Sequence, residues 1–347
     1  MKNRIIETNK NINPYYIISP SYNKKSAGIL VLHMLCHHLN LKGFPAYLVN
    51  QDNDKYFINP DLVTPILNDD ILSSHKKLKR NPICIYHDST KGNPINSKCV
   101  VRYLLNYSGL LGGDTKYDKN DLIFSYAKKI EEDLNKRNIS QQNGNILFMP
   151  ISNPKIFYPP QDSDVKRSGS CFYAHKYKNS HGGKLFDDTN NSVEIKNNTK
   201  DAQTKEEIAT LLRKSEIFYA YEDTSLINEA ILCGCPVVLL KNDFFTDEPL
   251  AIKELGLDAI ALSNTPSEIA RAKKTILTAQ KKFFDNIEVF FIQLNDFIIK
   301  TQEHSFKKKV YDLQIKLSEH NKTEKQNKFH LGRSIKRVCS KTAELFR

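Results

Sequence analysis

The apolar and polar positions are most tightly ordered over residues 216–240, EIFYAYEDTSLINEAILCGCPVVLL, which predict a strand, a polar turn, a helix and a second strand with few residues between them. Residues 217–220 form a short apolar run of strand type, and 236–240 form another with two β-branched valines. Between them Leu226, Ile227, Ala230 and Ile231 recur at helical spacing. Thr224 or Ser225 stands at the N-cap, Gly234 at the C-cap, and Pro236 stops the helix. This is the crossover of a parallel sheet. Its strand-to-helix turn lies at the carboxyl edge, where the orphan amides of a helix N-terminus favour an anion such as phosphate.

The same periodicity extends to both sides. Residues 15–19 read as a strand and 26–41 as a helix apolar nearly all round, closed by Gly43 before a strand at 46–49. Small residues at Ser26, Ala27 and Gly28 let a ligand approach that helix N-terminus, although GxGxxG is absent. A strand at 82–86 leads into HDSTKGNPINSKCVVRYLLN, where a turn at Gly92, Asn93 and Pro94 and a cap at Ser97 predict a helix to Asn106. Lys98 and Arg102 share one face of it. Further on come a strand at 122–125, a helix to about 136 and a strand at 146–149. Residues 150–160 carry four prolines and no period, as an interdomain linker does.

Beyond the linker the pattern predicts a strand at 170–174, a polar loop, a strand at 193–196 and a helix at 205–214. After residue 240 come a loop, a helix ending at Gly256, a strand at 258–262 and one long helix from 265 to about 300. The expectation is an α/β chain of two Rossmann-like domains facing across a cleft, residues 1–150 and 151–300, with a basic helical tail over 301–347.

Composition supports two cores: 347 residues, 40% of them hydrophobic, suffice for both. The seven cysteines are scattered without paired CxxC spacing, which predicts reduced core thiols and neither disulfides nor a metal. His33 and His37 share a helix face with no acidic residue nearby, so they read as core or solvated histidines. The charged N-terminus lacks a signal-peptide core, and no apolar run approaches the ~20 residues of a membrane span. A cytoplasmic protein is expected. The net charge of +12 invites a nucleic-acid reading, but much of the excess lies in the tail. No zinc finger, RNP or helix-turn-helix pattern accompanies it, so no nucleic-acid partner is expected.

The run Glu229, Ala230, Cys233, Gly234, Cys235, Pro236, Val237 and Val238 resembles the signature of the C-terminal nucleotide-sugar domain of GT-B glycosyltransferases, in particular bacterial enzymes of the family 4 type. The turn departs from that signature, because the family's two acidic residues stand one residue further apart than Glu222 and Glu229 do. That shortening would rotate Glu222 away. The resemblance implies that Glu229 binds the donor ribose, that Glu222 is a further donor-binding candidate, and that Thr224 and Ser225 meet the donor diphosphate. Gly28 faces the cleft, and Lys176 (or Lys178 or Lys184) and Arg167 stand against the diphosphate. A looser resemblance at 88–106, a GNP turn followed by an Arg-containing helix, implies that Asn93 and Arg102 bind the acceptor and that Asp88 or His87 takes its proton. Each residue also has a plainer reading: Thr224 and Ser225 cap their helix, Asp88 and His87 cap a turn, and the lysines are solvated.

The activity so implied is transfer of a hexose from a nucleoside-diphosphate sugar to a saccharide or lipid-linked acceptor in bacterial surface-polysaccharide synthesis. It uses no metal and no cofactor, and it retains the donor's anomeric configuration. A nucleotide-sugar epimerase of the same fold and a non-catalytic nucleotide-sugar-binding module fit the same residues. The tail pairs an apolar stripe of Leu331, Ile335, Val338 and Phe346 with Arg333, Lys336, Arg337 and Lys341. It suits either an anionic membrane surface, at the inner face of the cytoplasmic membrane, or packing on the body.

Overall fold

The computed structural model describes residues 12–50, 56–140, 142–161, 166–196 and 201–307. Two parallel sheets organise them. The first contains β1 (Tyr15–Ile18), β2 (Ala46–Val49), β3 (Ile83–His87), β4 (Cys99–Leu104) and β5 (Leu122–Ser125), in the order β2-β1-β3-β4-β5. The second contains β6 (Ser170–Tyr173), β7 (Val193–Glu194), β8 (Ile217–Ala220), β9 (Val237–Leu239) and β10 (Ile260–Ala261), in the order β10-β9-β8-β6-β7. Strands covered on both faces read as continuous apolar runs, which is why YYII of β1 is buried at every position.

Helices cover these sheets: α1 (Ala27–Leu41), α2 (Asp69–Lys77) and α3 (Lys128–Lys136) beside the first, α4 (His175–Asn179), α5 (Lys205–Lys214), α6 (Leu226–Leu232), α7 (Ile252–Leu255) and α8 (Pro266–Lys274) beside the second. Leu32, Leu35 and Leu39 of α1 pack on Tyr15, Ile17, Ile85 and Val101 to form one core. Ile208, Leu212, Ile227 and Ile231 pack on Phe218, Val237 and Leu239 to form another. Both sheets are thus doubly covered, Rossmann-like layers, as the sequence pattern predicts.

A last helix, α9, covers 276–307 and joins the two cores. Its Phe283 lies in the second core, while Phe290, Leu294, Phe297 and Ile298 lie in the first. Polar contacts fix its far end, where the Tyr15 and Thr301 hydroxyls lie 2.7 Å apart and Gln302 Nε2 donates to Asn13 O at 2.8 Å.

Several details differ from the sequence expectation. Residues 99–104 form a strand where a helix was expected: this apolar run fits either period, and pairing with β3 and β5 on both sides decides it. Lys98 and Arg102 therefore share no helix face. The helix expected over 265–300 is two helices, because Thr275 leaves helical geometry at φ −101° and ψ 8°. Its hydroxyl accepts from Ala259 N at 2.8 Å and so anchors the break to the start of β10. Residues 146–149 form no strand, only an isolated bridge from Ile146 to Ser125. Finally, α2 had no sequence expectation; Asn68 caps it by accepting from Ile71 N at 2.9 Å, and only His75 of it is buried.

Candidate functional site

In each sheet the turns after the strands gather at the carboxyl edge, and the two edges face each other across a cleft. Two adjoining cavities lie at these edges. One, of about 170 Å³, is lined by Gly28, Leu105 and Tyr126 from the first domain, Ile151 from the linker, and Thr224, Ser225 and Asn228 from the second. The other, of about 310 Å³, is lined by Asn106 and Tyr107 from the first domain and by Lys176, Glu222, Phe244 and Asp247 from the second. Asp223 and Leu250 line both. The larger cavity lies within the ~300–1,000 Å³ usual for small-molecule sites.

Polar contacts between the domains hold the cleft in register. Lys129 of α3 pairs with Asp247, Lys253 of α7 pairs with Glu132, and Lys128 N donates to Glu254 Oε1 at 2.8 Å. Such exposed pairs add little stability singly, but all three join α3 to the segment after β9.

The turn after β8 is the centre of the site. Asp223 Oδ2 accepts from Leu250 N at 2.8 Å and ties this turn to the loop after β9. Asp223 is open to solvent, yet protein surrounds it on both sides of the cleft; this crowding raises its carboxyl pKa, and Lys176 and Lys129 pull it back down. Ser225 sits in helical geometry at φ −60° and makes no capping bond, while Thr224 Oγ1 is a distant 3.4 Å from Leu226 N. Neither hydroxyl is committed to the cap, and both line the smaller cavity.

Glu222 faces the larger cavity in spite of the shortened spacing, and its Oε2 accepts from Tyr177 N at 2.9 Å in the first turn of α4. Lys176 lies on that same helix, where a loop was expected, and lines the same cavity. Lys178 is committed to Glu194, at 2.7 and 2.9 Å from its two carboxylate oxygens. Lys184 is exposed and lines neither cavity. Glu229 is 5% exposed on α6, makes no side-chain hydrogen bond among the described residues and lines neither cavity. Burial pushes its carboxyl up to about 7, with Lys205 acting in the opposite direction.

The remaining sequence candidates stand apart from both cavities. Arg167 is fully engaged elsewhere: its Nη1 donates to Leu212 O and Ser215 O at 2.9 Å each and its Nη2 to Cys233 O at 2.6 Å. It satisfies carbonyls at the ends of α5 and α6, which corrects the donor-binding expectation. Arg102 is buried in β4 against Asp121 and Asp114, with no face towards the cleft. Asn93 closes its turn by accepting from Ser97 N at 2.8 Å and from Tyr86 Oη at 2.6 Å. Asp88 is buried and accepts from Leu105 N at 3.1 Å, while its second carboxylate oxygen has no partner. His87 Nδ1 lies 2.9 Å from Ser89 Oγ; burial lowers its pKa, and Asp88 opposes the shift. His87 thus stays within its own turn, Asp88 ties that turn to the end of β4, and neither lines the cavities.

Asp223 is the main residue that sequence reasoning missed. It sits in the same turn as Glu222, and a search for a spaced glutamate pair passes over an aspartate one residue on. Phe244 is the other: it stacks on His181 at 4.1 Å between centroids, and an exposed aromatic in the polar loop NDFFTDEP was its only signal. Of the histidines on α1, His33 is buried with its Nε2 3.1 Å from Pro20 O, and His37 Nδ1 accepts from Val63 N at 2.9 Å. Among the described residues six cysteines are free and buried, and no group of His, Cys, Asp and Glu could hold a metal ion. No described helix is long and apolar enough to cross a membrane. The stripe Leu331, Ile335, Val338 and Phe346 and its basic neighbours lie outside the described residues.

The fold and the cleft define a chain of two Rossmann-like α/β domains with a site between their carboxyl edges. No protein-family model and no curated protein matches this sequence. Among solved structures, the chain is similar to a Listeria monocytogenes protein assigned as a UDP-N-acetylglucosamine 2-epimerase, at 11% identity and a TM-score of 0.39, over 78% of this chain and 91% of that one. It is similar to T4 phage BGT in complex with UDP and Mn²⁺ at 10% identity and a TM-score of 0.39, over 85% and 98%. It is also similar to the glycosyltransferase of kitacinnamycin at 8% identity and a TM-score of 0.33, over 83% and 99%.

Proposed function

We propose that the protein is a glycosyltransferase that moves a sugar from a nucleoside-diphosphate donor, held by the second domain, to a saccharide or lipid-linked acceptor held by the first, in bacterial surface-polysaccharide synthesis. One observation carries this reading: the paired cavities between the two carboxyl edges combine uncommitted Thr224 and Ser225 hydroxyls and Lys176 with a carboxylate, Asp223, common to both. The hydroxyls hydrogen-bond the donor diphosphate. Lys176 neutralises the charge that develops on the leaving phosphate, so no metal and no resident cofactor is required. Asp223 and Glu222 hydrogen-bond the sugar or the acceptor hydroxyl, and Gly28 leaves room beside Leu105 for the phosphate chain. Glu229 accepts from the ribose hydroxyls, a role taken from the family-like run around it. Retention of the donor's anomeric configuration is expected with that run. The reaction is assigned to the cytoplasm, where nucleotide sugars are made.

A nucleotide-sugar epimerase is the second reading, favoured by the four carboxyl groups of Glu222, Asp223, Asp247 and Glu248 around the larger cavity. Incubation with a panel of nucleotide sugars separates the readings. A transferase, with or without acceptor, releases free nucleoside diphosphate; an epimerase yields a new nucleotide sugar; and a binding module shows calorimetric binding alone. Binding of no nucleotide sugar at all would overturn the proposal.

A further inference from the structure

Helix α9 buries Phe283, Phe290, Leu294 and Phe297 against the two domains, yet a second apolar line runs beside that face and meets solvent. Leu277, Phe284 and Phe291 stand at seven-residue spacing, and Ile292, Ile299 and Phe306 form a second seven-residue track that starts one residue, about 100° of helix, after Phe291. Exposure is 78% at Leu277, 69% at Ile292 and 63% at Phe306. Large apolar side chains this exposed, recurring along one side of a helix between polar residues, mark a contact surface.

The arrangement of the line identifies what covers it. A seven-residue apolar repeat is the spacing by which one helix packs along another. The residues are also symmetric about a point between Phe291 and Ile292: Leu277 mirrors Phe306, Phe284 mirrors Ile299, and Phe291 mirrors Ile292. The polar residues on the same line follow the same mirror, Lys281 with Gln302 and Glu288 with Asn295. A two-fold axis through that point lays apolar on apolar and polar on polar, and no like charges oppose on the line. It also brings Lys281, which pairs with Asp285 of its own helix at 2.7 Å, beside Glu303 of the other copy, at both ends of the contact. This is the self-complementarity that an isologous interface requires.

We propose that α9 is a dimer interface, in which its exposed apolar line packs antiparallel against the same line of a second copy of this chain. No residue of the line borders either of the two cavities that carry the sugar-transfer reading, so the dimer stands or falls independently of it. Near the two-fold, Ile292 of one copy abuts Phe291 and Ile292 of the other, and Leu277 lies far from its own counterpart.

Light scattering on the full chain, over a wide concentration range, is expected to give the mass of a dimer. Ile292→Glu is expected to give a monomer, because it places two carboxylates across the axis. As both variant and parent bury the same core, their circular-dichroism spectra and thermal midpoints should agree, which distinguishes lost association from lost folding. In a Cys339→Ser background, Ile292→Cys should cross-link to itself on mild oxidation. Leu277→Cys should not, but should cross-link to Phe306→Cys when the two chains are mixed. A parent that is monomeric at every concentration overturns the proposal, and so does self-cross-linking of Leu277→Cys as efficient as that of Ile292→Cys. A monomer that binds lipid vesicles, and loses that binding on Ile292→Glu, would assign the line to a membrane and overturn it equally.

Discussion

Arg102 Nε donates to Asp121 Oδ2 at 2.8 Å inside the first domain, and its guanidinium lies 5.2 and 5.4 Å from the ring centroids of Tyr86 and Tyr117. Asp114 adds a second carboxylate at 3.6 Å and itself accepts from Gly92 N at 2.7 Å. The cluster therefore holds the segment 106–120, which lends Asn106 and Tyr107 to the cleft, against the turn at Gly92. Removing one partner of a buried pair strands the other's charge, at a cost of about 3–5 kcal/mol. Arg102→Ala should lower stability by that order in urea denaturation, and Arg102→Met with Asp121→Asn should recover much of it. If Arg102→Ala keeps the parent's stability and loses only acceptor affinity, Arg102 belongs to the acceptor site after all.

Glu229 makes stability depend on pH in a known direction. Burial raises its pKa from 4.5 in the unfolded chain to about 7 in the folded one, so between these values the folded state holds the proton more tightly. Its contribution is most favourable below about pH 4.5 and declines as pH rises through 7. Glu229→Gln should therefore leave stability unchanged at the acid end and raise it above pH 7, by something on the order of 3 kcal/mol. The difference between the two thermal midpoints, followed against pH, tests this; a constant difference would refute it. On the proposed reading, Glu229→Ala also weakens nucleoside-diphosphate binding about tenfold, because a carboxylate acceptor contributes roughly 1.5–3 kcal/mol. Unchanged affinity by calorimetry on the folded variant would remove Glu229 from the site.

Legibility in the sequence followed the strength of local signals. The unit over 216–240 is read almost residue by residue, since α6 is bracketed by its polar turn and by Gly234 and Pro236, and β8 is uninterrupted. β4 is not separable from a helix in the sequence because CVVRYL, buried at every position, shows no alternation that marks a strand. The break at Thr275 was invisible because the hydroxyl that fixes it meets a backbone amide of a distant segment, Ala259. The site was legible to the extent that it lies in turns next to strands. Glu222, Thr224, Ser225, Lys176 and Gly28 line the cleft cavities, whereas Arg167, expected there from its place just before β6, and Arg102, expected there from the GNP turn, are held by partners inside their own domains. Whether a buried arginine faces a ligand or satisfies its own fold depends on tertiary partners that no local pattern contains.

Lys176 and Lys178 provide a discriminating pair on one short helix. Lys178 is paired with Glu194, whereas Lys176 faces the larger cavity. Lys176→Ala should lower turnover by about 10²-fold or more, as loss of a group that stabilises developing charge does, while Lys178→Ala should change it little. Transfer should persist in EDTA, because the lysine supplies the positive charge. Equal effects of the two substitutions would show that Lys176 has no special place. Full, reversible loss of activity on chelation would show that a metal does.

The segment after α9 is expected to dock on an anionic membrane surface, where a lipid-linked acceptor is found. Residues 300–347 carry 13 Lys and Arg against 5 Asp and Glu, a surplus that accounts for most of the chain's +12. Each basic residue near such a surface contributes roughly 1 kcal/mol, and the line of Leu331, Ile335, Val338 and Phe346 adds apolar insertion. The comparison chain must end after Lys307: Thr301 and Ser305 are buried against the first domain, where Ser305 Oγ donates to Asn81 O at 3.1 Å. A chain cut at 300 would lose these contacts and confuse unfolding with release. Full and shortened chains are to be sedimented with neutral and with anionic vesicles at low and high salt. The full chain should pellet with anionic vesicles at low salt and be released at high salt, as screening predicts, while the shortened chain stays in solution. If both pellet equally, the attachment lies elsewhere on the body and the segment is no anchor.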